Sequence, residues 1–186
     1  FDADLHCLNG QSRDSRMGSA FSIENPSQAL KVLSFLQGNL PKYSLAPHAL
    51  NRKGKARGIL TGGNLSILTS ILGSCSDLDT NEKILFIEDV GEYLYRLDRM
   101  MWTYKRAGKL SHLSGLIIGG LTEMKDGETN FGYSAEEIVY QAVKQYSYPV
   151  CFGFPAGHQP HNEPLMLGAE IRIEITDEGT EMIYLY

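Results

Sequence analysis

Apolar residues recur along this chain in two rhythms. The runs Ile84-Leu85-Phe86-Ile87 and Leu116-Ile117-Ile118 are too short for helices and suit strands covered on both faces. Between them Leu94, Leu97, Met101 and Tyr104 fall at helical spacing, in a pattern that Glu92 opens and Gly108 ends. Similar spacing predicts a helix from Asn25-Pro26-Ser27 to Gly38 and another from Asn64 to Gly73. A further helix begins at Ser134-Ala135-Glu136-Glu137, which has the form of a capping box, with Ile138, Ala142, Val143 and Tyr146 on its apolar face. Strands are expected over Lys55–Leu60 and Tyr148–Phe152. Gly119-Gly120 closes the Gly115–Ile118 strand, and Thr61-Gly62-Gly63-Asn64 reads as a turn from strand to helix. Glu170–Thr176 and Met182–Tyr186 alternate around Asp177-Glu178-Gly179-Thr180, the pattern of a terminal hairpin closing an edge of the sheet.

Composition narrows the classes. With 186 residues, 42% hydrophobic and 21% charged, the chain can bury a core and is not of disordered composition. No apolar run approaches the roughly 20 residues of a membrane span. A formal charge of -5 with interspersed acids and bases offers neither a nucleic-acid field nor a polybasic membrane patch, so neither partner is expected. Cys7, Cys75 and Cys151 lack metal-ligand spacing, and three cysteines make a disulfide framework unlikely, which fits a reducing compartment. The start, Phe1-Asp2-Ala3-Asp4, carries neither an initiator Met nor a signal-peptide pattern and is expected to follow a cut or boundary, with Gly10–Gly18 as a connector. Glu123–Tyr133 is polar and glycine-containing, the composition of a mobile surface loop.

The candidate chemistry sits where apolar runs stop. In an open parallel sheet, functional groups collect beyond the carboxyl ends of the strands, and Glu88 ends the Lys83–Ile87 run. Gly153-Phe154-Pro155-Ala156-Gly157-His158 fixes an irregular backbone after another strand and presents an imidazole on a loop. Three chemistries suit this pair. A histidine oriented by Glu88 serves a serine nucleophile as general base. His158, His161 and Glu163 offer metal ligands, although Pro160 and Pro164 forbid the regular helix on which such spacing usually works. Glu88 with Glu92 or Asp89 forms a carboxylate pair, but one too close in sequence to flank a sugar from opposite sides. Gly63 and Asn64 are candidate substrate-binding positions, since a glycine pair before a helix allows close approach and the helix terminus favours an anion. The duller reading there is a tight turn with an ordinary Asn64 cap. Glu88 likewise suits a simple helix cap, and Arg96, Asp98 and Arg99 suit a solvated salt-bridge patch.

Four segments, Gly62-Gly63-Asn64-Leu65-Ser66, Lys83-Ile84-Leu85-Phe86-Ile87-Glu88-Asp89, Tyr95-Arg96-Leu97-Asp98-Arg99-Met100 and Gly153-Phe154-Pro155-Ala156-Gly157-His158, together resemble the LD-carboxypeptidases. These are the muramoyltetrapeptide carboxypeptidases of serine peptidase family S66, and order and spacing match across most of Gly54 to Ile173. The resemblance implies an α/β fold: a swivelling β/β/α-type carboxyl-terminal domain over residues 41–186, with 1–40 a remnant of the amino-terminal domain and linker. It implies a Ser-His-Glu triad in which Glu88 is the orienting acid and His158 the general base, with Glu92 the second choice for the acid. It further implies release of terminal D-alanine from muropeptide tetrapeptides in the cytoplasm, without metal or cofactor. The implied partners are a muropeptide or peptide substrate, the protein's own amino-terminal domain and, in a dimer, a second copy.

The departure is the serine. The family's Gly-Tyr/Phe-Ser-Asp motif has no match here, and Leu5-His6 resembles a pair that follows it. The nucleophile therefore lies upstream or is lost, and the chain alone is expected to be inactive. Two other readings stay open: a clan relative of the microcin immunity peptidases, for which an aromatic such as the lone Trp102 would stack a nucleobase, and a non-catalytic binding module.

Overall fold

The computed structural model describes residues 26–185, and the Phe1–His6 and Gly10–Gly18 expectations lie outside them. The elements run in the order α1 (Pro26–Leu36), β1 (Lys42–Leu45), β2 (Gly54–Asn64), α2 (Leu65–Ser70), β3 (Ile84–Val90) and α3 (Leu94–Arg106). β4 (Gly115–Thr122), α4 (Ala135–Val143), β5 (Val150–Cys151), β6 (Glu170–Ile175) and β7 (Thr180–Tyr184) complete them. They build one mixed sheet in the order β1-β7-β6-β2-β3-β4-β5, with helices flanking it.

The β2-α2-β3-α3-β4-α4-β5 segment steps always in one direction through parallel pairs. Successive crossovers of one hand in one direction place their helices on one face. Leu65, Leu68, Leu97, Met101, Ile138, Val139 and Val143 accordingly share a core with Leu85, Ile87, Leu116 and Ile118. A second core takes the alternate residues Ile84, Phe86 and Ile117 together with Ile171, Ile173, Ile175, Met182 and Tyr184 from the antiparallel half. Phe35 of α1 joins this core against the Tyr184 ring, at 5.4 Å between centroids. Leu30, Leu33 and Leu36 of the same helix are exposed. No described helix is long and apolar enough to cross a membrane.

β2 is the hinge between the two halves. Its first part, Gly54–Ile59, pairs antiparallel with β6, and Leu60–Asn64 pairs parallel with β3. Thr61-Gly62-Gly63-Asn64 is thus strand and not turn, because its backbone completes the β3 ladder. Gly62 shows why that requires glycine: its φ is 131°, and an added Cβ would lie 1.9 Å from the Phe86 carbonyl oxygen.

Several boundaries differ from expectation for tertiary reasons. The terminal hairpin does not form an edge. β7 pairs with β1, a short strand at Lys42–Leu45 that the local pattern does not announce, and β1 is the edge. The Tyr148–Phe152 strand contracts to two residues, where β4 offers partners. Gly119 and Gly120 lie inside β4, α3 starts at Leu94 instead of Glu92, and α2 stops at Ser70. The capping box forms as expected: the Ser134 hydroxyl accepts from Glu137 N at 3.2 Å, and the Glu137 carboxylate from Ser134 N at 2.8 Å.

Substituting Gly62→Ala combines left-handed strain of about 1–3 kcal/mol with a backbone collision. Urea unfolding of this variant is expected to show a loss of at least about 3 kcal/mol, whereas Gly63→Ala, whose Cβ meets nothing within 4 Å, loses only the conformational part.

Candidate active site

The side chains of β3 alternate between the two cores, so the consecutive acids Glu88 and Asp89 point to opposite faces. Both are buried, at 5% and 2% exposure. A buried carboxylate requires partners, and each acid has its own set.

Asp89 turns to the helical face. Its carboxylate accepts from Asn64 Nδ2 and Ser66 N at 3.0 Å each, and from Val90 N at 2.9 Å. Burial pushes this carboxyl above its ordinary value, the three hydrogen bonds pull the other way, and neighbouring Glu88 adds to the rise. Asn64 is the cap of α2, accepting from Ile67 N at 3.1 Å, and so joins the helix start to β3. Asp89, which sequence reasoning treated only as one of a carboxylate pair, holds the turn from β2 into α2.

Glu88 turns to the other face and meets His158. Glu88 Oε2 lies 2.8 Å from His158 Nδ1 and accepts from the His158 backbone N at 3.2 Å. The carboxylate is enclosed while the imidazole is 48% exposed. An ionised Glu88 places the imidazole proton on Nδ1 and leaves Nε2 as an acceptor. Glu88 caps no helix: α3 is preceded by Tyr93, which makes no side-chain cap. Glu92 lies 3.8 Å from Arg96 and does not share the histidine.

The approach depends on missing side chains. Opposite Glu88 the register of β3 and β4 shifts, since Ile87 faces Ile118 while Asp89 faces Leu121, so Gly119 and Gly120 together oppose one residue. Such bulges re-aim side chains at sites. A Cβ on Gly119 would come within 2.5 Å of the Ala156 carbonyl oxygen, and one on Gly157, at φ 106°, within 2.8 Å of Glu88 Oε2. The loop that carries His158 therefore lies directly on the end of β4.

Of the other candidates, His161 pairs with Glu163 at 3.1 Å, and among the described residues no three His, Cys, Asp or Glu side chains converge as a metal site. Gly63 faces open space beside Asn64. Arg96 and Arg99 stack over Tyr93 and Tyr95, at 6.0 and 5.5 Å. Lys105 covers the Trp102 ring at 4.6 Å.

The family model for the LD-carboxypeptidase C-terminal domain matches residues 57–173, which take in both Glu88 and His158. The chain belongs to this family. A probable murein peptide carboxypeptidase of Bacillus subtilis is 35% identical over 130 residues, covering 70% of this chain and 40% of its own length. The crystal structure of muramoyltetrapeptide carboxypeptidase from Oxalobacter formigenes superimposes with a TM-score of 0.83 at 20% identity, over 97% of this chain and 65% of that one. The microcin C7 self-immunity protein, in an inactive mutant apo state, superimposes with a TM-score of 0.75 at 21% identity, over 99% of this chain and 65% of that one. The domain spans half or less of the length of the curated relatives it matches.

Asp89→Ala leaves Ser66 N and the Asn64 amide without their acceptor. It is expected to lower unfolding free energy by about 1–3 kcal/mol, read in urea, while a crystal structure of the variant retains the contact between Glu88 and His158.

Proposed function

We propose that this domain supplies the acid and the base of a Ser-His-Glu triad, and that the full-length protein is an LD-carboxypeptidase releasing terminal D-alanine from muropeptide tetrapeptides. The observation that carries the reading is the 2.8 Å contact between the enclosed Glu88 carboxylate and Nδ1 of a half-exposed His158. A carboxylate pair acting on a sugar would not need one acid spent on orienting an imidazole. An oriented imidazole that ligates a metal would need companion ligands, whereas among the described residues no three His, Cys, Asp or Glu side chains converge. Relatives named as carboxypeptidases support peptidase chemistry for the family.

In this mechanism the serine belongs to the protein's own amino-terminal domain, which docks at the mouth of the parallel strands. His158 Nε2 takes the proton as the serine oxygen attacks the carbonyl before D-alanine. Glu88 stays ionised, holds the tautomer and stabilises the imidazolium through Nδ1–H. His158 then returns the proton to the departing amine of D-alanine, and a second cycle with water releases the shortened peptide. The oxyanion donors come from the serine's domain, so this chain alone turns over nothing. No metal or cofactor enters.

The test is D-alanine release from an L,D-tetrapeptide by full-length protein. Relative to wild type, His158→Ala is expected to lower kcat by about 10⁴-fold or more, and Glu88→Gln by about 10³–10⁴-fold with little change in KM. Undiminished turnover in either variant removes that residue from the triad.

A further inference from the structure

Both bonds that tie residue 158 to Glu88 end on the same oxygen. His158 N and Nδ1 converge on Glu88 Oε2, at 3.2 and 2.8 Å. Two donors on one acceptor fix the residue only relative to that oxygen, and a pivot about it would move Nε2, the atom that must meet a hydroxyl. Orientation needs a second point of attachment.

Thr122 provides one. Its hydroxyl donates to the His158 carbonyl oxygen, an atom of that residue that neither Glu88 contact uses. Thr122 is itself fixed: it is the last residue of β4, stands opposite Val90 in the ladder, and its carbonyl accepts from Gly91 N at 2.9 Å. The ends of β3 and β4 and the His158 peptide thus meet on one threonine. The rest of the loop is fastened to β4 independently. Phe154 N donates to Ile118 O and Gly120 N to Ala156 O, both at 2.9 Å, and within the loop Gln159 Nε2 spans the Phe154 and Ala156 carbonyls at 3.0 and 3.1 Å. Of these ties, only the Thr122 bond reaches residue 158 itself.

We propose that Thr122 is a positioning residue for His158, setting the direction of Nε2 through the His158 carbonyl. The activity arm of its test rests on the triad reading above. In Thr122→Val the shape is kept and the donor lost, whereas Thr122→Ser keeps the donor. In full-length protein, Thr122→Val is expected to lower kcat for D-alanine release by about 10- to 100-fold with KM nearly unchanged, as for a displacement of about 1 Å at the reacting group. Thr122→Ser is expected to retain wild-type kcat.

Wild-type kcat in Thr122→Val overturns the proposal. So does equal impairment of the serine and valine variants, or a loss that lies in KM alone. A second measurement does not depend on turnover. The His158 ring signals in the NMR spectrum, assigned by their absence in His158→Ala, are expected to shift in Thr122→Val and hold in Thr122→Ser. If wild-type protein releases no D-alanine, the triad reading fails and these signals alone decide on Thr122, with an unmoved His158 ring in Thr122→Val counting against it.

Discussion

A carboxylate enclosed at the end of a buried strand is the constraint around which this domain is arranged. Leaving Glu88 at 5% exposure without a partner would cost several kcal/mol, and only a strong donor brought to it makes the position tolerable. His158 is that donor, and bringing it there requires backbone to come where side chains ordinarily stand. Gly157 has no Cβ to strike Glu88, and Gly119 none to strike the loop. Phe86 of the strand and Phe154 of the loop meet edge to face at 6.4 Å in the same core.

Two adjacent acids divide the work because a strand alternates. Asp89 serves the scaffold by joining β3 to the start of α2, and Glu88 meets the half-exposed His158 on the opposite face. Their separation by the sheet lets two carboxylates one residue apart each collect their own donors. The same alternation places helices behind Asp89 and leaves the Glu88 side to the loop, the antiparallel strands and α1.

The antiparallel half sets the course of β2 and contributes no residue to the contact between Glu88 and His158. β6 takes the first six residues of β2, and the remaining five are free to pair with β3. The change of partner at Leu60 is fastened by hydrogen bonds to Gly168 and Ala169. This carries the β2 terminus, Asn64, into register with Glu88. The hairpin is consequently interior, and the four-residue β1 takes the edge, where a short strand presents little open backbone.

Local sequence was sufficient where the determining forces are local. The apolar run of β3, the helical spacing of α3, the Ser134 capping box and the Asn64 cap are all written in neighbouring residues and form as read. The segments around Glu88 and His158 were legible as strand end and glycine-flanked loop, and their likeness to a family joined them before any geometry did. What only the tertiary structure decided are the relations between distant segments. β1 exists because β7 needs a partner, and Gly62 and Gly63 are strand because Phe86 and Ile87 pair with them. Glu88 meets an imidazole instead of capping α3 because a loop some 70 residues later in the chain descends onto it. Thr122, unremarkable in sequence, reaches the His158 carbonyl only once β4 and that loop are packed. Periodicity and caps are properties of one stretch of chain, whereas a buried charge finds its partner only through the packing of the whole.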